Sequence, residues 1–295
     1  MAFDRSTRRK VLSHSVTVLC GASIVVILIP LVAVIYEAAV LGGSVLSVNF
    51  FTQGLPLPCS PRPGVTCPTG GIAPAIQGTL ILLGLASLVA VPVGLGGAIF
   101  TVEYGDRYAA ARIVGVVADV MSGIPSIVAG VFVYSLILYY APQIVFSTIS
   151  GSLALAVLMI PIVTRTSENA LRTVPRSTRE AALALGIARW KTSLRIALVA
   201  ALPGVLTGIL LAIARAAGEA APLLLTDAGS FRGFDGFNNQ VANMPITIFL
   251  FADSPYQNWY QVAWGAALVL ILIVLVLSVA SRLVLDRMAR KMRGG

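Results

Sequence analysis

Two charged residues four apart interrupt an apolar stretch, Arg215 and Glu219 in Ala212-Ile213-Ala214-Arg215-Ala216-Ala217-Gly218-Glu219-Ala220-Ala221-Pro222. Arginine offers a planar, permanently charged set of donors that matches an oxyanion. A carboxylate four residues on shares its helical face. The pair can neutralise itself as an ion pair, or it can form a weak station for a passing anion, with Glu219 moderating affinity and orienting the arginine. Two further charges border or enter apolar runs: Arg165, which also reads as a topology charge, and Asp119, which can pair with a buried arginine or cap local structure. Covalent chemistry has no visible machinery. His14 is the single histidine and has no Cys, Asp or Glu at ligand spacing, so no metal cluster or Ser/His/Asp set is seen. A nucleotide site is also missing, because Lys191 is the one lysine followed by Ser or Thr and Trp190 stands where a phosphate loop needs glycine.

The elements that must position these residues are membrane-spanning. Of 295 residues, 57% are hydrophobic and 11% charged, against about 25% charged in a soluble domain. Residues 120–164 run 45 positions without Asp, Glu, Lys or Arg, and one span needs roughly 20 residues. Six spans are expected, at about 15–40, 73–101, 112–140, 144–164, 196–221 and 259–281. This is an all-α integral membrane fold; a barrel is excluded because its strands alternate apolar and polar residues. The chain divides into an N-terminal segment 1–14, a first span 15–40, a loop 41–72, a core 73–285 and a tail 286–295. The first apolar run is about twice a signal-peptide core of roughly 7–15 residues, so it reads as a retained anchor.

The net charge of +9 follows topology rather than nucleic acid. Eighteen basic residues, including Arg5, Arg8, Arg9, Lys10, Arg107, Arg112 and the set from Arg165 to Arg195, fall on one side if both termini are cytoplasmic; Arg62 and Arg232 fall on the other. That asymmetry is the positive-inside pattern. The loop 41–72 then lies outside and carries Cys59 and Cys67 around a Pro/Gly-rich stretch. In an oxidising compartment they can form a disulfide; two free thiols are the alternative. A second outer loop, 222–258, contains the apolar stretch Val241–Ala252, too short to span and read as re-entrant or interfacial. Gly204-x-x-x-Gly208 suits close helix packing.

The segment 166–192 carries the strongest signal. Ser177 and Glu180 have the spacing of a capping box, and Gly186 suits the left-handed position past a helix end. A helix over 178–185 would present Ala181, Ala182 and Leu185 as a small, smooth surface. So short a helix is marginal alone and must dock on its own bundle or on a cytoplasmic partner. Glu180-Ala181-Ala182-x-x-x-Gly186, with Ile196-x-Leu198 beyond, resembles the EAA loop of ATP-binding-cassette importer permeases; Val199 stands where that family often has proline. The resemblance implies that Glu180, Ala181, Ala182, Leu185 and Gly186 couple the chain to an ATPase subunit.

Residues 215–222 are similar to the Arg-x-x-Gly-Glu-Thr-Ala-Pro motif of phosphate-specific permeases of the PstA type, with Ala220 replacing threonine. Gly123-Ile124-Pro125-Ser126-Ile127-Val128 matches their Gly-[Ile/Val]-Pro-Ser-Ile-Val signature. The similarity runs from about residue 75 to the C-terminus. Sulfate and molybdate permeases share Arg-x-x-Gly-Glu, so that part implies an oxyanion and the rest favours phosphate. The resemblance implies a multi-pass subunit of the bacterial plasma membrane without catalysis of its own. It would work with a PstC-type permease, two PstB-type ATPase subunits and an extracytoplasmic phosphate-binding protein. ATP and Mg would be bound by the ATPase, with no cofactor or metal in this chain. The implied substrate pathway is Arg215, Glu219, Arg165, Ser126 and Asp119.

Overall fold

A computed structural model describes residues 5–60, 67–68, 70–105 and 107–293. Arg62 and the rest of segment 61–66 lie outside the described residues, as do the side chains of Arg5, Arg8, Arg287, Arg290, Lys291 and Arg293. Every regular element among the described residues is helical. The first is α1 (Arg5–Glu37), which continues through a π-turn, Ala38–Gly42. There follow α2 (Val48–Thr52), α3 (Ala73–Tyr104), α4 (Ala109–Ser122), α5 (Ser126–Tyr140), α6 (Thr148–Arg172) and α7 (Arg176–Ala184). The last four are α8 (Arg189–Ala216), α9 (Ala221–Thr226), α10 (Met244–Ala252) and α11 (Gln257–Arg293). Five helices are long and apolar enough to cross a membrane, or six with the bent pair α4–α5 counted as one span.

That bent pair occupies the stretch expected as one span at 112–140 and breaks it in the middle. α4 and α5 meet at 111°, across Gly123-Ile124-Pro125. Proline disfavours helical backbone at the residue before it and has no N–H to give the ladder. Pro125 itself is extended (φ −57°, ψ 137°) and starts α5. With 14 and 15 residues, each half reaches only about 21–23 Å, short of the roughly 30 Å hydrocarbon core. The expected fifth span, 196–221, is also interrupted. α8 ends at Ala216, and residues 217–220 turn before α9 begins.

The core is built where α3 and α6 lie against each other, with α8, α9 and α10 packed around them through Leu82, Leu155, Met159, Val163, Ala212, Leu223 and Ile246. Small residues set the closest approaches. A β-carbon on Gly208 would stand 2.1 Å from Thr166 Oγ1, and one on Gly204 2.7 Å from the Ala170 β-carbon. The Gly204/Gly208 pair is thus the face by which α8 meets α6. α1 differs: its apolar window from Leu12 onward is wholly exposed, and it joins the bundle through its terminal π-turn. There a side chain on Gly42 would run into the Trp264 carbonyl at 2.5 Å.

At the bundle end opposite α7, Cys59 and Cys67 are joined in a disulfide with Cα atoms 5.7 Å apart. One amide holds both flanks of that loop: Asn258 Nδ2 donates to the carbonyls of Leu57 (2.9 Å) and Pro68 (3.4 Å). Trp259 Nε1 donates to the Pro56 carbonyl at 2.9 Å, and its ring stacks on Phe251 with centroids 4.3 Å apart. Within the stretch Val241–Ala252, Met244–Ala252 forms α10, nine residues long and capped by Asn243. It packs against α11 and α3, with Met244, Ile246 and Phe251 buried.

Candidate functional site

Arg215 sits in the last turn of α8, between buried Ala214 and Ala216, and its own side chain is 65% exposed. The sequence placed Glu219 on the same continuous helix. Instead it lies in the turn after α8, where the N–H groups of Gly218 and Glu219 donate to the Arg215 and Ala216 carbonyls, both at 3.2 Å. The tightened turn still leaves Nε of Arg215 3.6 Å from Glu219 Oε1. At that distance the charges attract without a well-formed hydrogen bond, so among the described residues the guanidinium keeps most of its donors free. Ser126, partly buried, opens α5. Four residues on, Gly130 touches Pro222, where a β-carbon would meet the Pro222 Cα at 2.7 Å. The segments bearing Ser126 and Glu219 therefore adjoin at the breaks of two interrupted helices.

Arg165 and Asp119 are brought together, but with each other. The Arg165 guanidinium pairs with Asp119 of α4, donates to the Gly115 carbonyl and pairs with Glu168. Glu168, buried, also accepts from Arg172 at 2.7 Å. Two arginines and two carboxylates thus form a neutral network that ties α4 to α6. Arg165 is spent on these partners, unlike Arg215. Glu168 was not singled out from the sequence, although its spacing of three from Arg165 and four from Arg172 was the available signal.

The EAA-like segment forms α7, bounded as the glycine implies and started otherwise. Gly186 has φ +79°; its N–H donates to the Leu183 carbonyl (2.9 Å) and the Ile187 N–H to that of Ala182 (3.2 Å), the paired bonds of a Schellman stop. The capping box does not form. Pro175 is the N-cap, no side chain caps the helix, and Ser177 already lies inside it, where helical backbone removes the extended geometry that a capping serine needs. The expected Ala181/Ala182/Leu185 surface is also revised. Ala182 is turned inward at 5% exposure, while Ala181, Leu183 and Leu185 face out, Leu185 at 80%. Glu180 is exposed. Trp190 and Leu194 extend the exposed apolar surface beyond α7, a contribution the motif alone did not indicate.

The chain is similar to known proteins in sequence and in fold. Residues 94–294 match the family described as binding-protein-dependent transport system inner membrane component. The chain is 38% identical over 254 residues to the phosphate transport system permease protein PstA of Yersinia pestis, covering 86% of this chain and 83% of that protein. It is 37% identical over 283 residues to PstA 1 of Mycobacterium tuberculosis (strain H37Rv), covering 94% and 88%. Among solved structures it is similar to the inward-facing MetNI methionine ABC transporter, with a TM-score of 0.59 at 17% identity over 72% of this chain and 95% of that one. That last likeness concerns the fold.

Proposed function

The chain belongs to the binding-protein-dependent inner membrane transport components and, among them, to the PstA phosphate transport permeases; on that premise we propose that it is the phosphate-conducting permease subunit of an ATP-binding-cassette importer. Arg215 carries the substrate reading. A guanidinium two-thirds exposed on a membrane-spanning helix, held by one carboxylate at 3.6 Å, cannot face lipid without a cost of about 2.5–3.5 kcal/mol or more. Its open side must meet water or another protein. A phosphate oxyanion passing there gains charge-assisted hydrogen bonds, and Glu219 offsets part of that gain so that the ion leaves again. Ser126 adds a hydroxyl from the neighbouring helix break, while Arg165 and Asp119 hold α4 against α6 beside the path.

The covering protein is a homologous PstC-type permease, with the pathway at the interface between the two subunits. α7, with exposed Leu183, Leu185 and Trp190 around it, docks on a dimer of PstB-type ATPase subunits that bind the ATP and Mg. An extracytoplasmic phosphate-binding protein delivers its ion at the disulfide-bearing end. Both termini are cytoplasmic in a bacterial plasma membrane, in keeping with the eighteen-to-two distribution of basic residues. The chain itself catalyses no reaction; closure of the ATPase dimer displaces α7 and opens the path.

The test is uptake of labelled phosphate by the assembled complex in vesicles, with sulfate and molybdate as competitors. Phosphate uptake that neither competitor suppresses is expected, and Arg215→Gln should lower it at least about tenfold, the worth of one charge-assisted bond, with subunit composition unchanged. Uptake of sulfate or molybdate in its place would sink the substrate, and full uptake by the Gln variant would return Arg215 to a structural role.

A further inference from the structure

Among the described residues, α7 is hydrogen-bonded to the ends of α3 and α6 by one side chain with three acceptors. Arg179 Nε donates to Glu103 Oε1 at 2.9 Å, Nη1 to the Val174 carbonyl at 2.6 Å and Nη2 to the Leu171 carbonyl at 2.8 Å. Every nitrogen of the guanidinium is thus engaged by groups outside α7. The Arg179 side chain is 16% exposed and that of Glu103 6%, so little water competes. Glu103 is the penultimate residue of α3. Leu171 and Val174 bracket the end of α6, where helix carbonyls run out of intrahelical donors. One fork therefore joins α7 to the ends of both α3 and α6. These two helices are themselves in close contact, with Gly94 of α3 against Val163 of α6.

Elsewhere α7 rests on the first turns of α8 through apolar contact, with Ala182 its one buried residue. Apolar contacts are non-directional and can slide. A planar fork on three fixed acceptors cannot rotate without losing bonds that are costly to leave unmade where water is scarce.

We propose that Arg179 is the positioning residue that passes displacement of α7 to the α3–α6 pair, with Glu103 as its fixed anchor. This rests on the reading that an ATPase subunit grips α7. Without the strut, α7 would still be gripped and moved, but the spanning helices would follow incompletely. ATP would then be consumed with less phosphate transported, a loss of coupling rather than of folding.

The experiment reconstitutes the whole complex in vesicles and measures phosphate moved per ATP hydrolysed, alongside crosslinking of Leu185→Cys to the ATPase. Arg179→Ala should lower the ratio about tenfold, the equivalent of one charge-assisted hydrogen bond, with the crosslink retained. Glu103→Gln, which keeps the shape and an acceptor, should lower it less. Arg179→Lys, a cation without the fork, should recover only part of the ratio. A role confined to stability would reduce the amount of complex and leave the ratio alone. An unchanged ratio in assembled Arg179→Ala overturns the proposal. If that variant does not assemble, an unchanged ratio in Glu103→Gln overturns it. Absence of the Leu185→Cys crosslink in otherwise unaltered complex instead overturns the ATPase reading of α7.

Discussion

Asp227 and Asn243 meet side chain to side chain in the buried junction between α9 and α10: Asp227 Oδ2 accepts from Asn243 Nδ2 at 2.8 Å, and Asp227 Oδ1 accepts from the Val241 N–H at 3.0 Å. Asn243 cannot reverse its amide, because its Oδ1 accepts from the Ile246 N–H at 3.0 Å and so caps α10. Both residues are essentially fully buried.

This geometry demands an acceptor on each oxygen of Asp227. A protonated carboxyl still accepts at both, whereas an amide nitrogen has no lone pair to offer. Asp227→Asn should therefore set two NH2 groups or an NH2 and an N–H against each other, at a cost of about 1–3 kcal/mol. Thermal unfolding of the purified protein would measure it, and an unchanged midpoint would show that the junction tolerates the mismatch.

Burial pushes the Asp227 carboxyl up to about 6, with the bonds from Val241 and Asn243 pulling the other way. A carboxyl whose pKa is higher folded than unfolded stabilises the fold fully below its unfolded value, near 4, and loses that contribution as pH rises through about 6. Between about pH 4 and 6 the protein should lose stability through this residue, and the dependence should be weaker in Asp227→Asn. Parallel melting curves across that window, identical in slope, would exclude the effect.

Gly186 ends α7 at φ +79°, and a β-carbon there would find open space. Its constraint is therefore backbone conformation alone. Gly186→Ala should weaken the helix end by about 1 kcal/mol, and Gly186→Asp should do so while adding a charge beside the proposed docking surface. Phosphate transport should fall in the order Gly, Ala, Asp with the protein still inserted. Equal transport in all three would separate the left-handed stop from function.

The disulfide closes a short loop, eight positions from Cys59 to Cys67, whose flanks Asn258 holds. In the chain-entropy picture a loop of this size is worth about 2.5 kcal/mol. Replacing both cysteines with serine should lower the unfolding midpoint accordingly. Alkylation of the native protein should label Cys20 before reduction and all three cysteines after it; labelling of three without reductant would show the pair to be open.

The spans and the α7 segment were legible because each depends on neighbours in the chain. Hydropathy adds up over one helix, and a glycine needed at positive φ acts within one turn. The break at Pro125 was written in the sequence too, but both halves around it are apolar, and composition alone could not distinguish a straight span from a bent one. The inward turn of Ala182 was hidden for a related reason: spacing defines a helix face but not which face meets the bundle.

Pairing was decided by tertiary structure. Asp119 could be read as pairing with a buried arginine, but its partner, Arg165, was named only by the packing of α4 on α6. Arg179 finds Glu103 seventy-six residues away, and Asp227 finds Asn243 across a loop. In an apolar environment each charge must find a partner, and several are available by type. Which one it finds depends on where the packed helices bring their ends, and no local stretch of residues encodes that distance.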